Sequence, residues 1–107
     1  MKKVYIAGPY SSDPEGNTEK AIAIGNEIIK AGHCPFIPHL SHYIELRHHI
    51  PYETWMKIDL SWLRACDCLY RIPGESPGAD VETTTAYDFN IPVFYNMSKL
   101  KNWLRLI

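Results

Sequence analysis

The chain has 107 residues, 46% of them hydrophobic and 21% charged, which is ordinary globular composition for one domain with a single core. Eleven Lys and Arg stand against 12 Asp and Glu, a formal net charge of −1, and no basic run occurs, so a long nucleic acid is a poor partner. Three cysteines, Cys34, Cys66 and Cys68, are too few and too odd in number for a disulfide framework. No apolar stretch approaches a membrane span or a secretory signal, so the expected place is the cytoplasm, away from membranes.

Residues 4–7 form a short apolar run stopped by Gly8-Pro9, read as a strand. Residues 9–17 are turn-rich. Residues 18–31 place Ala21, Ile22, Ile24, Gly25, Ile28 and Ile29 at helical spacing, and Gly32 ends that helix. A second strand spans 33–37, followed by a polar, histidine-rich excursion over 39–50. Pro51 opens a helix running to about residue 65. Residues 66–72 read as a third strand, 73–78 as a loop, 79–89 as a helix, 91–95 as a strand and 98–106 as a last helix. Strands alternating with helices imply a single α/β domain over 1–107, a Rossmann-like, doubly wound parallel sheet of four to five strands. Ligands in such folds sit beyond the carboxyl ends of the strands, at the loops over 8–17, 38–51, 73–78 and 96–98.

Two carboxylates occupy apolar helix faces. On a wheel with Trp55 at zero, Asp59 falls about 40° away, between Ile58, Trp62 and Leu63. It is either a structural carboxylate paired in the core or a functional acid facing a crevice. Glu82 falls between Ala86 and Phe89 on the helix after Pro77. That helix opens with Ser76 as N-cap, Pro77 at its first position and the small residues Gly78 and Ala79, which favour close approach of an anion to backbone N–H groups. Two carboxylates meeting in a cleft suit glycosidic chemistry, one attacking the anomeric carbon while the other protonates the leaving group.

Residues 4–8 (VYIAG), 59–63 (DLSWL) with Cys66-Asp67, and 76–82 (SPGADVE) together resemble the nucleoside 2-deoxyribosyltransferase-like superfamily. The nearest branch is the 2′-deoxynucleoside 5′-phosphate N-hydrolases, with small bacterial and phage members alongside. The resemblance implies that Glu82 is the nucleophile, that Asp59 assists departure of the base, and that Tyr5 positions the nucleophile and favours a 2′-deoxy sugar. It places Gly8 and the loop after it, with Ser11, around sugar and phosphate. A Ser at position 76 is the hydrolase residue, where transferases carry Asp, so the implied reaction is hydrolysis of a deoxynucleoside 5′-monophosphate. Against this, the hydrolases carry an Arg in the first loop, and residues 9–17 hold neither Arg nor Lys. The family completes its site from a neighbouring subunit near the end of the last strand, where Asn96 stands, which implies at least a dimer. No cofactor is implied.

Four histidines, His39, His42, His48 and His49, crowd the excursion. They suit a metal less well than a mixture of surface and pocket positions, with His39, directly after a strand end, the best pocket candidate. Cys66 and Cys68 are read as buried small hydrophobes on opposite faces of the third strand. Trp55 and Trp62 are read as core or subunit interface. Two rivals to the hydrolase stand: a transferase that moves deoxyribose between bases, and a sensor that binds a nucleotide without turning it over.

Overall fold

In a computed structural model, which describes residues 1–106, the chain forms four strands and five α-helices. In chain order these are β1 (Lys3–Ala7), α1 (Pro14–Lys30), β2 (Cys34–Phe36), a 3-10 turn (Pro38–Ser41), α2 (His42–Glu45), α3 (Tyr52–Arg64), β3 (Cys68–Arg71), α4 (Pro77–Asp88), β4 (Val93–Phe94) and α5 (Met97–Arg105). All strand pairs are parallel and the sheet order is β2-β1-β3-β4. The register sets Tyr5 beside Phe36 on one side and Leu69 on the other.

Strand parity divides the core into two layers. Val4 and Ile6 of β1, with Cys68 and Tyr70, pack against Ala21 and Ile28 of α1 and Leu100 and Leu104 of α5. Tyr5 and Ala7, with Leu69, face the other way, onto Leu63 of α3 and Ala79 and Ala86 of α4. The sheet is therefore doubly wound. Every side chain of the second set is directed toward the same two helices, which is how β1 delivers Tyr5 to Glu82. The chain leaves β1 for β2 on one side and returns to β3 on the other, so the switch point lies between the carboxyl ends of β1 and β3.

Two glycines are required by geometry. Gly32 follows the last turn of α1 at φ +87°, the left-handed conformation that terminates helices. At Gly8, just past β1, a Cβ would come within 2.9 Å of Ile72 Cβ, so the loops after β1 and β3 touch because position 8 has no side chain.

Several expectations are corrected. Ile22 and Ile29 of α1 are exposed, and Thr18, Ala21, Gly25 and Ile28 are the buried stripe. On α3 only Leu63 is buried, while Ile58 and Trp62 are exposed. Trp62 is 53% exposed and stacks on Phe36 at 5.0 Å, capping the sheet edge rather than filling the core. Cys66 and Cys68 do face opposite layers, but not by strand alternation, since residues two apart on a strand share a face. Cys66 lies in the turn after α3, before β3 begins at Cys68. Among the described residues no helix is long and apolar enough to cross a membrane.

Candidate active site

A cavity of about 830 Å³ opens over the carboxyl ends of the strands. Its floor is Gly8 after β1, its flanks are Pro38 and His39 after β2 and Glu75 to Ala79 after β3, and Asp59 and Glu82 face it from α3 and α4. Of the residues singled out above, Gly8, Ser11, His39, Asp59, Ser76, Gly78, Ala79 and Glu82 all line this one space. Tyr5 lies beneath it, fully buried, and its hydroxyl donates a hydrogen bond to Glu82 Oε2. Asn96 does not line the cavity. It caps α5, accepting from the Lys99 backbone N–H at 3.1 Å, and is exposed.

Local rules account for these placements. Ser76 sits in extended backbone and its hydroxyl accepts from the Ala79 N–H at 3.1 Å, with Pro77 at the first helical position. The helix so started buries Ala79, Glu82, Thr83 and Ala86, one stripe at 3- and 4-residue spacing that carries the carboxyl onto the sheet. Tyr87 and Phe89 of the same helix are exposed, so Glu82 belongs to a narrower stripe than the apolar arc suggested.

The two acids are electrically unusual. Glu82 is 6% exposed. Burial pushes its carboxyl up to about 8, and the nearby Asp59 adds to this, whereas the Tyr5 hydrogen bond and the Arg71 charge oppose it. Asp59 is half-buried and rises to about 7, by desolvation. The Tyr5 phenol is driven far above its ordinary value by burial and by both carboxylates, so it remains a neutral donor. Between about pH 7 and 8 the two carboxyls together hold about one proton, and the more deeply buried Glu82 holds it more firmly.

Arg71, at the end of β3, is 8% exposed. Its guanidinium donates to the Ile72 carbonyl, to the Gly74 carbonyl at 3.0 Å and to Asp80 Oδ1 at 2.9 Å. Gly74 takes φ +127° in the turn that results. One buried cation thus fixes the loop that presents Ser76 and lends positive potential to Glu82. Arg71→Met should lower unfolding free energy by about 2 kcal/mol, because two carbonyls lose a charged donor. Urea denaturation measures this, and an unchanged midpoint would show that the loop holds itself.

The histidine-rich excursion clasps the first loop. His39 Nε2 donates to the Pro9 carbonyl at 3.0 Å, and His42 Nδ1 lies 2.8 Å from the Tyr10 hydroxyl. His39 is buried, and desolvation lowers its basicity. Among the described residues no group of three or more His, Cys, Asp or Glu side chains is placed to hold a metal ion.

Sequence reasoning missed the part of the cavity wall that α3 supplies. Trp55, assigned to core or interface, lines the cavity with Tyr52 and Met56, beside Glu45 and Ile50 of the loop over 38–51 that the sequence had placed at the site. Trp55 Nε1 donates to Glu45 Oε1 at 2.7 Å, tying α3 to α2. The available signal was spacing: Trp55 lies four residues before Asp59, so a crevice-facing Asp59 carries Trp55 to the same crevice. The lining includes the carboxylates Glu45, Asp59, Glu75 and Glu82 and neither Lys nor Arg.

The fold is similar to that of a 2-deoxyribosyltransferase from the psychrotolerant bacterium Bacillus psychrosaccharolyticus, with a TM-score of 0.61 and 23% identity over 85% of this chain and 69% of that one. At this identity the likeness is one of fold. No curated protein matches the sequence. Residues 2–96 match the family model described as "Domain of unknown function (DUF7768)", and the chain belongs to that family.

Proposed function

We propose that the protein is an enzyme that breaks the N-glycosidic bond of 2′-deoxynucleosides, with Glu82 as nucleophile and Asp59 as acid. The observation that carries this reading is the buried Tyr5–Glu82 hydrogen bond beneath a cavity that Asp59 also faces. A binding module gains nothing from two desolvated carboxyls in one cleft, whereas an oxocarbenium-like transition state does. A Glu82 carboxylate oxygen forms a bond to C1′ as the C1′–N bond breaks, and the Asp59 proton goes to the departing base nitrogen. The deoxyribosyl ester is then opened at C1′ by water, or by a second base, which gives its proton to Asp59; the C1′–O bond to Glu82 breaks and restores the Glu82 carboxylate. Tyr5 and Arg71 oppose the burial that protonates Glu82, and so raise the share of the ionised Glu82 that this step needs.

Two features favour a free nucleoside over a nucleotide. The wall carries four carboxylates and no Lys or Arg, which disfavours a 5′-phosphate. The likeness in fold to a 2-deoxyribosyltransferase points the same way. Hydrolysis of 5′-monophosphates is the second reading, favoured by the start of α4 at the cavity wall, where an anion gains from backbone N–H groups. A second copy of the chain is the proposed partner, with Asn96 supplied across the interface, and sedimentation of the purified protein reports it.

The test is chromatography of the purified protein with each deoxynucleoside, with and without a second base, and with each 5′-monophosphate. A new nucleoside identifies transfer. Free base with deoxyribose identifies hydrolysis, and free base from monophosphates alone reinstates the second reading. Release of base from none of them sinks the enzyme reading.

The acids also set the pH response. Turnover needs the state with one proton on the pair, so kcat/KM should follow a bell with limbs near 7 and 8. Activity falls below the bell because Glu82 is protonated, and above it because Asp59 has no proton to give. A profile flat from pH 6 to 9 would contradict this.

A further inference from the structure

The wall formed by Glu45 and Trp55 bears on which base leaves. Glu45 ends α2 with its side chain one-quarter exposed in the cavity. One of its oxygens is committed: Oε1 accepts from the Ile50 backbone N–H at 2.8 Å and from Trp55 Nε1 at 2.7 Å. Among the described residues the other, Oε2, has only His49 Nδ1 as a polar partner, at 3.4 Å, on a side chain that is 85% exposed and so weakly held. The two fixed donors keep the Glu45 carboxyl below its ordinary range, so it is charged at neutral pH. No Lys or Arg on the cavity lining answers that charge.

Position links Glu45 to the leaving group. The acid that protonates the base is Asp59, so the base lies beside it. Trp55 stands one turn earlier on the same face of α3, and Trp55 holds Glu45. A base that receives a proton from Asp59 therefore extends along Trp55 toward Glu45. A carboxylate whose orientation is fixed accepts hydrogen bonds and cannot donate them, so it attracts an amino edge and repels a carbonyl edge.

Resting on the glycosidic reading above, we propose that Glu45 is a specificity residue whose free oxygen accepts from the exocyclic amino group of the base. The site thereby takes nucleosides of amino-bearing bases ahead of their oxo counterparts. Trp55 acts as a positioning residue, holding the carboxylate and offering its ring to the base. Glu45→Gln keeps an amide oxygen for Ile50 and Trp55, so the wall survives, while the free position becomes a donor.

The experiment uses pairs that exchange the exocyclic amino group for an oxo group, with the adjacent ring nitrogen changing from acceptor to N–H donor: deoxyadenosine against deoxyinosine, and deoxycytidine against deoxyuridine. Calorimetric Kd and, where turnover occurs, kcat/KM are measured for wild type, Glu45→Gln and Trp55→Phe. Wild type should prefer the amino member of each pair by at least about tenfold, as one well-placed base contact supplies. Glu45→Gln should bring the members within about threefold or invert them, and Trp55→Phe should fall between. Equal binding of both members by wild type overturns the proposal, as does a preference that Glu45→Gln leaves intact. Discrimination in binding without turnover leaves the Glu45 assignment standing and removes the glycosidic reading. No binding of any of the four removes both.

Discussion

Glu82→Gln should reduce base release or exchange on the order of 10⁴-fold, with the fold retained. The amide is isosteric, still accepts from the Tyr5 hydroxyl and carries no negative charge, so the change isolates nucleophilicity from packing. Kd for the nucleoside should change little, because the carboxylate acts on C1′ only as the glycosidic bond breaks. Asp59→Asn should behave differently. It removes the proton donor, not the nucleophile, so the loss should be roughly 10²–10³-fold for ordinary bases. It should shrink toward unity for a 7-methylated purine nucleoside, whose base leaves as a neutral molecule without protonation. Single-turnover kinetics with both substrates separates the two roles. Equal losses for Asp59→Asn on both substrates would show that Asp59 is not the acid. A Glu82→Gln variant that keeps a tenth of its activity would remove Glu82 as nucleophile.

The parts of this arrangement that follow from sequence are those fixed by periodicity and capping. Strand alternation over residues 4–7 puts Tyr5 and Ala7 on one face, and the Ser76-Pro77 helix start sets the phase that brings Glu82 onto that face. The helix wheel misled where one helix has two apolar obligations. On α3 the arc containing Trp55, Asp59 and Leu63 serves both the core, at Leu63, and the cavity, at Trp55 and Asp59. Hydrophobicity does not distinguish a wall for a ligand from a wall for a sheet. The excursion over 39–50 was opaque for a different reason. It contains a 3-10 turn and a four-residue helix held by His39, His42 and Glu45 through contacts with residues 9, 10, 50 and 55. Side-chain polar bonds of this kind leave no periodic trace, so the Glu45–Trp55 contact emerges only in three dimensions.

Folding stability should fall as pH rises from about 4 to about 8, and Glu82→Gln should remove much of that fall. In the unfolded chain both acids ionise near their ordinary values of 3.8 and 4.5, whereas the folded chain holds their protons up to about 7 and about 8. Between those limits the native state binds more protons than the unfolded one. The stabilisation is therefore complete below the unfolded values and is lost as pH climbs through the folded ones. For the deeply buried Glu82 this is about 2–4 kcal/mol between pH 4 and 9, and solvent screening makes the half-buried Asp59 contribute less. His39 works the other way. Its basicity is lowered by burial, so its protonation in the unfolded chain makes stability rise with pH through about 6.5. The wild-type curve alone mixes these opposing slopes. The difference between Glu82→Gln and wild type does not, because His39 is common to both. Urea denaturation at pH 5, 7 and 9 should find the variant within about 1 kcal/mol of wild type at pH 5 and more stable than it by about 1–3 kcal/mol at pH 9. A difference that stays constant across the three would mean that Glu82 ionises as it does in water, and the shared-proton account of the site would fall with it.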